Sequence, residues 1–227
     1  YRITVPEPGG AEAERLHKLS EFILKRKHLH VATVHHKSEY GPFVRQVFEL
    51  VNAAYAPLYG VVELSDEQIE RYANKFIPLV DPDFVCFVVD EQDQLVAFGV
   101  TALDPSVALK HSDGRLFPFG WAGVLNDLHH SDTLIMLLTA VRPDLQTEGI
   151  NAVMMDHVCQ SCNRHGVHFA ETGPMLELND HILAQWKRLE KEQHKRRRCF
   201  IKDLDHDVNA ANAAAAQTET PETESAE

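Results

Sequence analysis

The 227-residue sequence lacks the features that define several classes of protein. Its longest largely apolar run, from Leu134 to Val141, is far shorter than the ~20 residues that span a bilayer. No apolar stretch of a secretory signal follows Tyr1, and no initiating Met is present, so we expect the sequence to come from a longer chain. Four cysteines are too few for a disulfide scaffold and favour a reducing, cytoplasmic compartment.

The charge is negative and uneven, which argues against a nucleic-acid partner. The net charge is −12, and the sequence after Lys202 contains acidic residues but no Lys or Arg. Composition along the chain predicts three parts. Residues 1–40 are expected to be an N-terminal extension, residues 41–204 a single domain, and residues 205–227 a disordered acidic tail.

Hydrophobic periodicity predicts alternating helices and strands. Helical stripes cover residues 11–27, 41–55 and 66–76, the last opened by a capping box from Ser65 to Gln68. Residues 84–89 and 95–101 predict a hairpin, followed by a long connection to a strand at 133–140. Further elements are predicted as a helix at 150–164, a strand at 167–172, a helix at 180–193 and a strand at 198–202.

The junction between the strand at 133–140 and the following helix carries the most chemical information. Gln146 and Gly149 stand just before the helix, where unpaired backbone N–H groups and the helix dipole favour an anion. A glycine in that position lets a phosphate approach the backbone closely. The junction therefore predicts a phosphate-binding loop.

This junction resembles the acyl-CoA-binding loop of the GNAT acyltransferase superfamily, whose pattern R/Q-x-x-G-x-G/A is matched from Gln146 to Asn151. The order of elements from Gly41 to Leu204 is also similar. The resemblance implies an α/β (α+β) fold with a mixed, mostly antiparallel sheet and helices on both faces. It also implies acyl-CoA as a co-substrate, with no permanently bound cofactor and no metal. The acyl-CoA-binding residues would be Val141, Gln146, Thr147, Glu148, Gly149, Ile150 and Asn151.

Several short motifs resemble the bacterial ceramide-synthase-like branch of this superfamily. They are Gly41-Pro42-Phe43-Val44-Arg45-Gln46-Val47, Leu58-Tyr59-Gly60, Phe117-Pro118-Phe119-Gly120, Ala170-Glu171-Thr172, Leu176-Glu177-x-Asn179, Trp186 and His194-Lys195-Arg196-Arg197-Arg198. The resemblance implies transfer of a fatty acyl group from acyl-CoA to the amine of a sphingoid-type lipid, by direct attack on the thioester.

The catalytic candidates follow from the same resemblance. Glu171 and Glu177 are candidate bases near the strand after the CoA-binding helix, and Asn179 matches an asparagine near the family's acid. Two departures stand out. Asn151 occupies a position where the family has Gly or Ala, and Trp186 stands where many members have a tyrosine that protonates the leaving thiolate.

Three other groups of residues are candidates for a functional role. The histidines at 28–36 and the cluster His157, Cys159, Cys162 and His165 lack a complete metal-ligand set, so packing is the preferred interpretation. Asp127, His129 and His130 are second-rank catalytic candidates. The basic run Lys195–Arg198 favours contact with an anionic membrane or a CoA phosphate.

Two alternatives stay open at this point. One is a GNAT enzyme that acetylates a small or peptidyl amine, and the other is an inactive GNAT-like acyl-CoA-binding module. A long apolar tunnel would favour the lipid substrate, whereas a short acidic cleft would favour the small amine. Asn151 and Trp186 are the residues that support the inactive module.

Overall fold

A computed structural model of the chain describes residues 1–58, 60–77, 80–177 and 179–200. Its strands run in the order β2-β3-β4-β5-β6-β1-β7 across one sheet. The strands are β1 (Arg2–Thr4), β2 (His30–Val31), β3 (Val85–Val89), β4 (Leu95–Leu103), β5 (Thr133–Val141), β6 (Phe169–Glu171) and β7 (Lys191–Glu192). The helices are α1 (Ala11–Lys27), α2 (Gly41–Tyr55), α3 (Asp66–Phe76), α4 (Ser106–His111), α5 (Gly120–His130), α6 (Asn151–His165) and α7 (Asp180–Gln185).

The predicted fold class is confirmed. Only β5 and β6 pair in parallel among these strands, and every other neighbouring pair is antiparallel. Helices cover both faces of the sheet. Successive side chains of β3 therefore pack in two different hydrophobic clusters. Phe87 packs in the cluster that includes Val47 and Leu50 of α2, whereas Val88 packs in the cluster that includes Ile23 of α1 and Val153 of α6.

The capping box predicted at the start of α3 is confirmed. Ser65 accepts a hydrogen bond from the backbone N–H of Gln68. The side-chain oxygen of Gln68 accepts one from the backbone N–H of Ser65, which completes the capping box. Gly166 ends α6 with φ +68°, a left-handed conformation that glycine adopts without a Cβ clash. The helices predicted at 11–27 and 41–55 have those bounds in the structure.

Residues 1–40, expected to be an extension ahead of the domain, contribute β1, α1 and β2 to the same compact unit, Tyr1–His194. β1 pairs with β6 on one side and with β7 on the other. Helix α1 packs against α6 through His17, whose Nδ1 lies 3.0 Å from the Asp156 carboxylate. Three-residue strands with distant partners have no local sequence signature.

The C-terminal elements differ from their predictions. Helix α7 ends at Gln185 and a 3₁₀ turn follows at Trp186–Arg188, so the helix expected over 180–193 is shorter. Residues 198–200 belong to no strand, and residues 201–227, with the expected domain end and acidic tail, lie outside the described residues. The long connection at 104–131 carries α4 and α5.

Candidate functional site

The two central strands part in the middle of the sheet. β5 pairs with β6 only from Thr133 to Ile135, where β6 ends at Glu171, while β5 continues to Val141. Opposite Val100 and Thr101 of β4 the register shifts, so that Leu137 is an extra residue on β5. A bulge beside a parting strand re-aims the backbone, and backbone groups of β5 beyond Ile135 become available to a ligand.

A cavity of about 180 Å³ occupies this opening. Tyr55 of α2 and Met154 of α6 both line it, although the two helices cover opposite faces of the sheet. The cavity therefore passes through the sheet from one face to the other. Gly99 of β4 forms part of the cavity wall, and its lack of a side chain leaves room there. A Cβ built at this position would lie 3.8 Å from the Met154 Cβ.

The lining of the cavity is overwhelmingly apolar. The chain has four methionines, and all four line the cavity: Met136, Met154, Met155 and Met175. Methionine side chains are unbranched and polarizable, and they adapt to apolar ligands of irregular shape. No Asp, Glu, Lys or Arg belongs to the lining among the residues that the structure describes.

The predicted phosphate-binding loop leads directly into this cavity. Gly149 has φ +81°, which favours glycine, and Asn151, the first residue of α6, lines the cavity. No side chain caps the N-terminus of α6, but the N–H groups of Ala152 and Val153 already donate to the carbonyls of Gly149 and Ile150. The N–H groups predicted to hold an anion are therefore those that precede Ala152 in the loop. Gln146 is exposed, and its Nε2 donates to the Val141 carbonyl over 3.3 Å.

The remaining residues of this loop have structural roles of their own. Ile150 is buried beneath α6, whereas Thr147 and Glu148 are exposed. Glu148 carries a negative charge into a loop predicted to bind phosphate. Lys27 of α1 pairs with it over 2.7 Å, and this hydrogen bond lowers the pKa of the Glu148 carboxyl. Lys27 thus offsets the charge that would repel a phosphate.

Tyr55 is the functional candidate that sequence reasoning missed. Its hydroxyl donates to the carbonyl of Thr139 on β5 over 2.7 Å, inside the opening between the strands. Burial raises the pKa of the Tyr55 hydroxyl, so the group stays protonated and can donate a proton or a hydrogen bond. The signal available in the sequence was a single hydroxyl at the end of the apolar stripe of α2.

Cys159 and Cys162 also line the cavity but are poor nucleophiles. Burial raises the pKa of Cys159 to about 11 and the pKa of Cys162 to about 12. At neutral pH both are therefore thiols, and the thiolate is the nucleophilic form. In the described part of the chain, no group of three His, Cys, Asp or Glu residues is arranged to hold a metal ion.

Two of the predicted site residues near α7 hold local structure. The Asn179 side chain accepts from the backbone N–H of Ile182 over 3.3 Å and so caps α7. Trp186 is 5% exposed, and its indole N–H donates to the sulfur of Met175 in the cavity wall. A catalytic role for Asn179 stays a prediction, and Trp186 is part of the wall.

The two carboxylates predicted as bases differ in environment. Glu171, at the end of β6, is 15% exposed in its side chain and pairs with His194. Glu177 is exposed in the turn that precedes α7. Neither is in the cavity lining itself, although Ala170 and Thr172, on either side of Glu171, are. Their catalytic roles stay predictions.

The second-rank candidates lie in the α4–α5 segment. The Asp127 carboxylate accepts from the backbone N–H of Ala108 over 2.7 Å and ties α5 to α4. His130 makes a contact within its own helix, with the carbonyl of Asn126. Neither they nor His129 is in the cavity lining. Phe117 and Phe119 in this segment are 82% and 79% exposed.

Comparison with known proteins gives distant similarities. No protein-family model matches the chain. Protein YghO from Escherichia coli strain K12 is 24% identical over 195 residues, which cover 83% of this chain and 49% of that protein. The chain thus spans about half the length of this curated relative.

Similar solved structures are also distant. Glucosamine-6-phosphate N-acetyltransferase from Arabidopsis thaliana has a TM-score of 0.45 at 10% identity, covering 76% of this chain and 99% of that chain. Polyamine N-acetyltransferase from Drosophila melanogaster has a TM-score of 0.44 at 14% identity, covering 69% and 81%. L-PGS from Bacillus licheniformis has a TM-score of 0.43 at 12% identity, covering 78% and 46%.

In the described residues no helix combines the length and the apolar character needed to cross a bilayer.

Proposed function

We propose that the protein is an acyl-CoA-dependent N-acyltransferase that moves a fatty acyl group to the amine of a sphingoid-type lipid. The observation that supports it best is the methionine-lined cavity between β5 and β6, which begins at the N-terminus of α6. In this proposal the loop from Gln146 to Asn151 binds the CoA diphosphate. The thioester then lies along the open side of β5.

The character of the cavity favours an acyl group longer than acetyl. An apolar cavity of about 150 Å³ is large enough to bind benzene. The cavity here, at about 180 Å³, is larger than an acetyl group requires. A carboxylate-lined cleft would suit a small cationic amine, but the lining is mainly apolar and contains no carboxylate among the described residues. The adaptable methionines suit a flexible hydrocarbon chain.

The chemistry proceeds by direct attack in this proposal. The neutral amine attacks the thioester carbonyl, and a backbone N–H of β5 stabilises the oxyanion. The C–S bond breaks as the C–N bond forms, and the CoA thiolate takes up a proton. Tyr55 supplies or relays that proton. The indole of Trp186 cannot act as this acid. Binding both substrates in one cavity provides the proximity that accelerates the reaction.

The test is a substrate panel on the full chain. Acyl-CoAs from acetyl to palmitoyl are combined with a long-chain 2-amino-1,3-diol, a simple long-chain amine and a polyamine, and products are followed by mass spectrometry and thiol release. We expect turnover to rise with acyl length and to need a long-chain amine. Turnover of acetyl-CoA with the polyamine alone would replace the lipid by the small-amine alternative. Acyl-CoA binding without any turnover would identify an inactive binding module.

We further propose that the exposed run Lys195–Arg198 contacts an anionic membrane that presents the lipid amine. Four consecutive cations repel one another and are stabilised near an anionic surface. Co-sedimentation with phosphatidylcholine vesicles, with and without phosphatidylglycerol, tests this. We expect binding to require the anionic lipid and to fall when all four residues are changed to Gln. Equal sedimentation with both vesicle types would contradict the proposal.

A further inference from the structure

Glu171 and His194 form a carboxylate–imidazole pair at the edge of the opening. The His194 Nε2 lies 2.7 Å from one carboxylate oxygen of Glu171 and 2.9 Å from the other. Both side chains are sheltered, at 15% exposed for Glu171 and 25% for His194. The two residues are 23 positions apart in sequence, and the pairing of β6, β1 and β7 brings them together.

The geometry fixes which imidazole nitrogen is basic. A carboxylate only accepts hydrogen bonds, so the hydrogen of neutral His194 is on Nε2, and Nδ1 keeps its lone pair. A carboxylate that holds an imidazole in one tautomer also stabilises the imidazolium formed when Nδ1 takes a proton. The pair is therefore built to accept a proton at His194.

The position of the pair places it on one particular side of the sheet. Ala170 packs with Val158 and Cys162 of α6, so Glu171, the next residue of β6, points to the opposite face, on which α2 packs. The cavity reaches that face, because Tyr55 lines it there. A thioester bound at the N-terminus of α6 enters from the other face, so the amine is left to approach from the side of Glu171 and His194.

We propose that His194, held by Glu171, removes the proton that makes the acceptor amine nucleophilic; this inference rests on the proposed acyl transfer. Nδ1 takes one proton from the ammonium group of the acceptor, and the freed lone pair forms the C–N bond as the C–S bond breaks. The second proton passes from the nitrogen, relayed by Tyr55, to the CoA thiolate as the amide forms, and His194 returns its own proton to solvent. Glu171 is then a positioning residue.

Other charged residues lie on the strands next to Glu171 and His194. Arg2 of β1 is opposite Glu171 in the antiparallel register and opposite Glu192 of β7 on its other side. Lys191 of β7 donates to the Trp186 carbonyl over 2.6 Å. These residues stay unchanged in the experiment, so that a change in kcat reports on Glu171 and His194.

The experiment compares three variants of the full chain with wild type, using palmitoyl-CoA and a long-chain 2-amino-1,3-diol. They are His194→Gln, Glu171→Gln and the matched control His165→Gln. The control removes a similar pair, because His165 Nε2 lies 2.8 Å from the Asp83 carboxylate. The residues on either side of Glu171 line the cavity, whereas those on either side of His165 and Asp83 do not. The values of kcat and KM are measured by thiol release, and palmitoyl-CoA affinity by calorimetry.

We expect His194→Gln to lower kcat by about 10²- to 10⁴-fold, the usual range for a general base, with palmitoyl-CoA affinity unchanged. Glu171→Gln should lower kcat with the KM for the amine unchanged, because the imidazole loses the carboxylate that orients it. His165→Gln should match wild type. A His194→Gln protein that turns over within threefold of wild type, or a Glu171→Gln protein with an unchanged kcat, would overturn the proposal. If wild type binds palmitoyl-CoA but acylates no amine, the proposed function falls with it.

Discussion

Gly99 offers a direct way to change the size of the cavity. Its ideal Cβ position lies 3.8 Å from the Met154 Cβ and 3.9 Å from the Met154 sulfur, which are ordinary contacts. Gly99→Ala therefore fits without displacing a neighbour. It should also stabilise β4 by roughly 0.5–1 kcal/mol, because alanine loses less backbone entropy on folding. Gly99→Leu places three further carbons in the space that we propose for the acyl chain.

The magnitude follows from the methylenes of the acyl chain that the leucine side chain of the Gly99→Leu variant would displace. Each buried methylene contributes about 0.8 kcal/mol, so excluding two to four of them costs roughly 1.6–3.2 kcal/mol. That is about 10- to 200-fold in the kcat/KM for a long acyl-CoA, since 1.4 kcal/mol is tenfold. The kcat/KM for a short acyl-CoA should change little, because a short chain does not reach the filled space.

The assay measures kcat/KM by thiol release for acyl-CoAs of increasing length, with Gly99→Ala as the matched control. Thermal unfolding verifies that both variants fold. A Gly99→Leu protein that lowers kcat/KM equally for every chain length would refute the location of the acyl chain. An unchanged profile in a folded Gly99→Leu protein would refute it as well.

Three further predictions concern single side chains. Tyr55→Phe should lower turnover without weakening CoA binding, and loss of the hydrogen bond to Thr139 should cost about 1 kcal/mol of stability. Stopped-flow thiol release measures the turnover, and urea unfolding measures the stability. Unchanged turnover would remove Tyr55 from the mechanism. The hydrogen bond with Asp156 raises the pKa of His17, so its stabilisation is present below about pH 6.5 and is lost as pH rises through the raised value. Because His17 is half exposed, we expect the stability gap between wild type and His17→Gln to be under about 1 kcal/mol at about pH 5.5 and to shrink by about pH 8.5; a gap that grows would contradict this. In the native protein, Ellman's reagent should titrate Cys199 rapidly and the buried thiols only on unfolding, and rapid reaction of more than one thiol would contradict the burial of Cys86, Cys159 and Cys162.

Much of the fold could be predicted because its signals are local. The capping box at Ser65, the left-handed Gly166 and the apolar stripes of α1 and α2 each depend on neighbouring residues. The mostly antiparallel sheet was implied by the family resemblance and not by a local signal. The loop at residues 146–151 could be placed because a strand, a glycine and a helix start occur together within a short span.

The remaining features depend on contacts between distant residues. β1 becomes a strand because Arg2–Thr4 pair with residues 169–171, and its three residues show no periodicity of their own. The role of Tyr55 depends on a hydrogen bond to a carbonyl 84 positions away. The pairing of His194 with Glu171 needs β6, β1 and β7 in register. Such contacts are a property of the folded sheet.

The central claim is that the loop at residues 146–151 holds the CoA diphosphate, and Gly149→Asp tests it most directly. Asn is isosteric with Asp, and both residues tolerate the left-handed φ of +81°. Gly149→Asn and Gly149→Asp therefore share the same backbone strain and differ in charge. A charge about 5 Å from a phosphate at an effective dielectric constant of about 20 costs about 3 kcal/mol. Gly60→Asp, at a glycine with φ +78°, controls for the added charge.

The deciding measurement is the Kd for CoA by isothermal titration calorimetry. We predict that Gly149→Asp binds CoA at least ~100-fold more weakly than Gly149→Asn, and that Gly60→Asp binds as wild type does. Equal affinity of the folded Gly149→Asp and Gly149→Asn proteins would contradict the account.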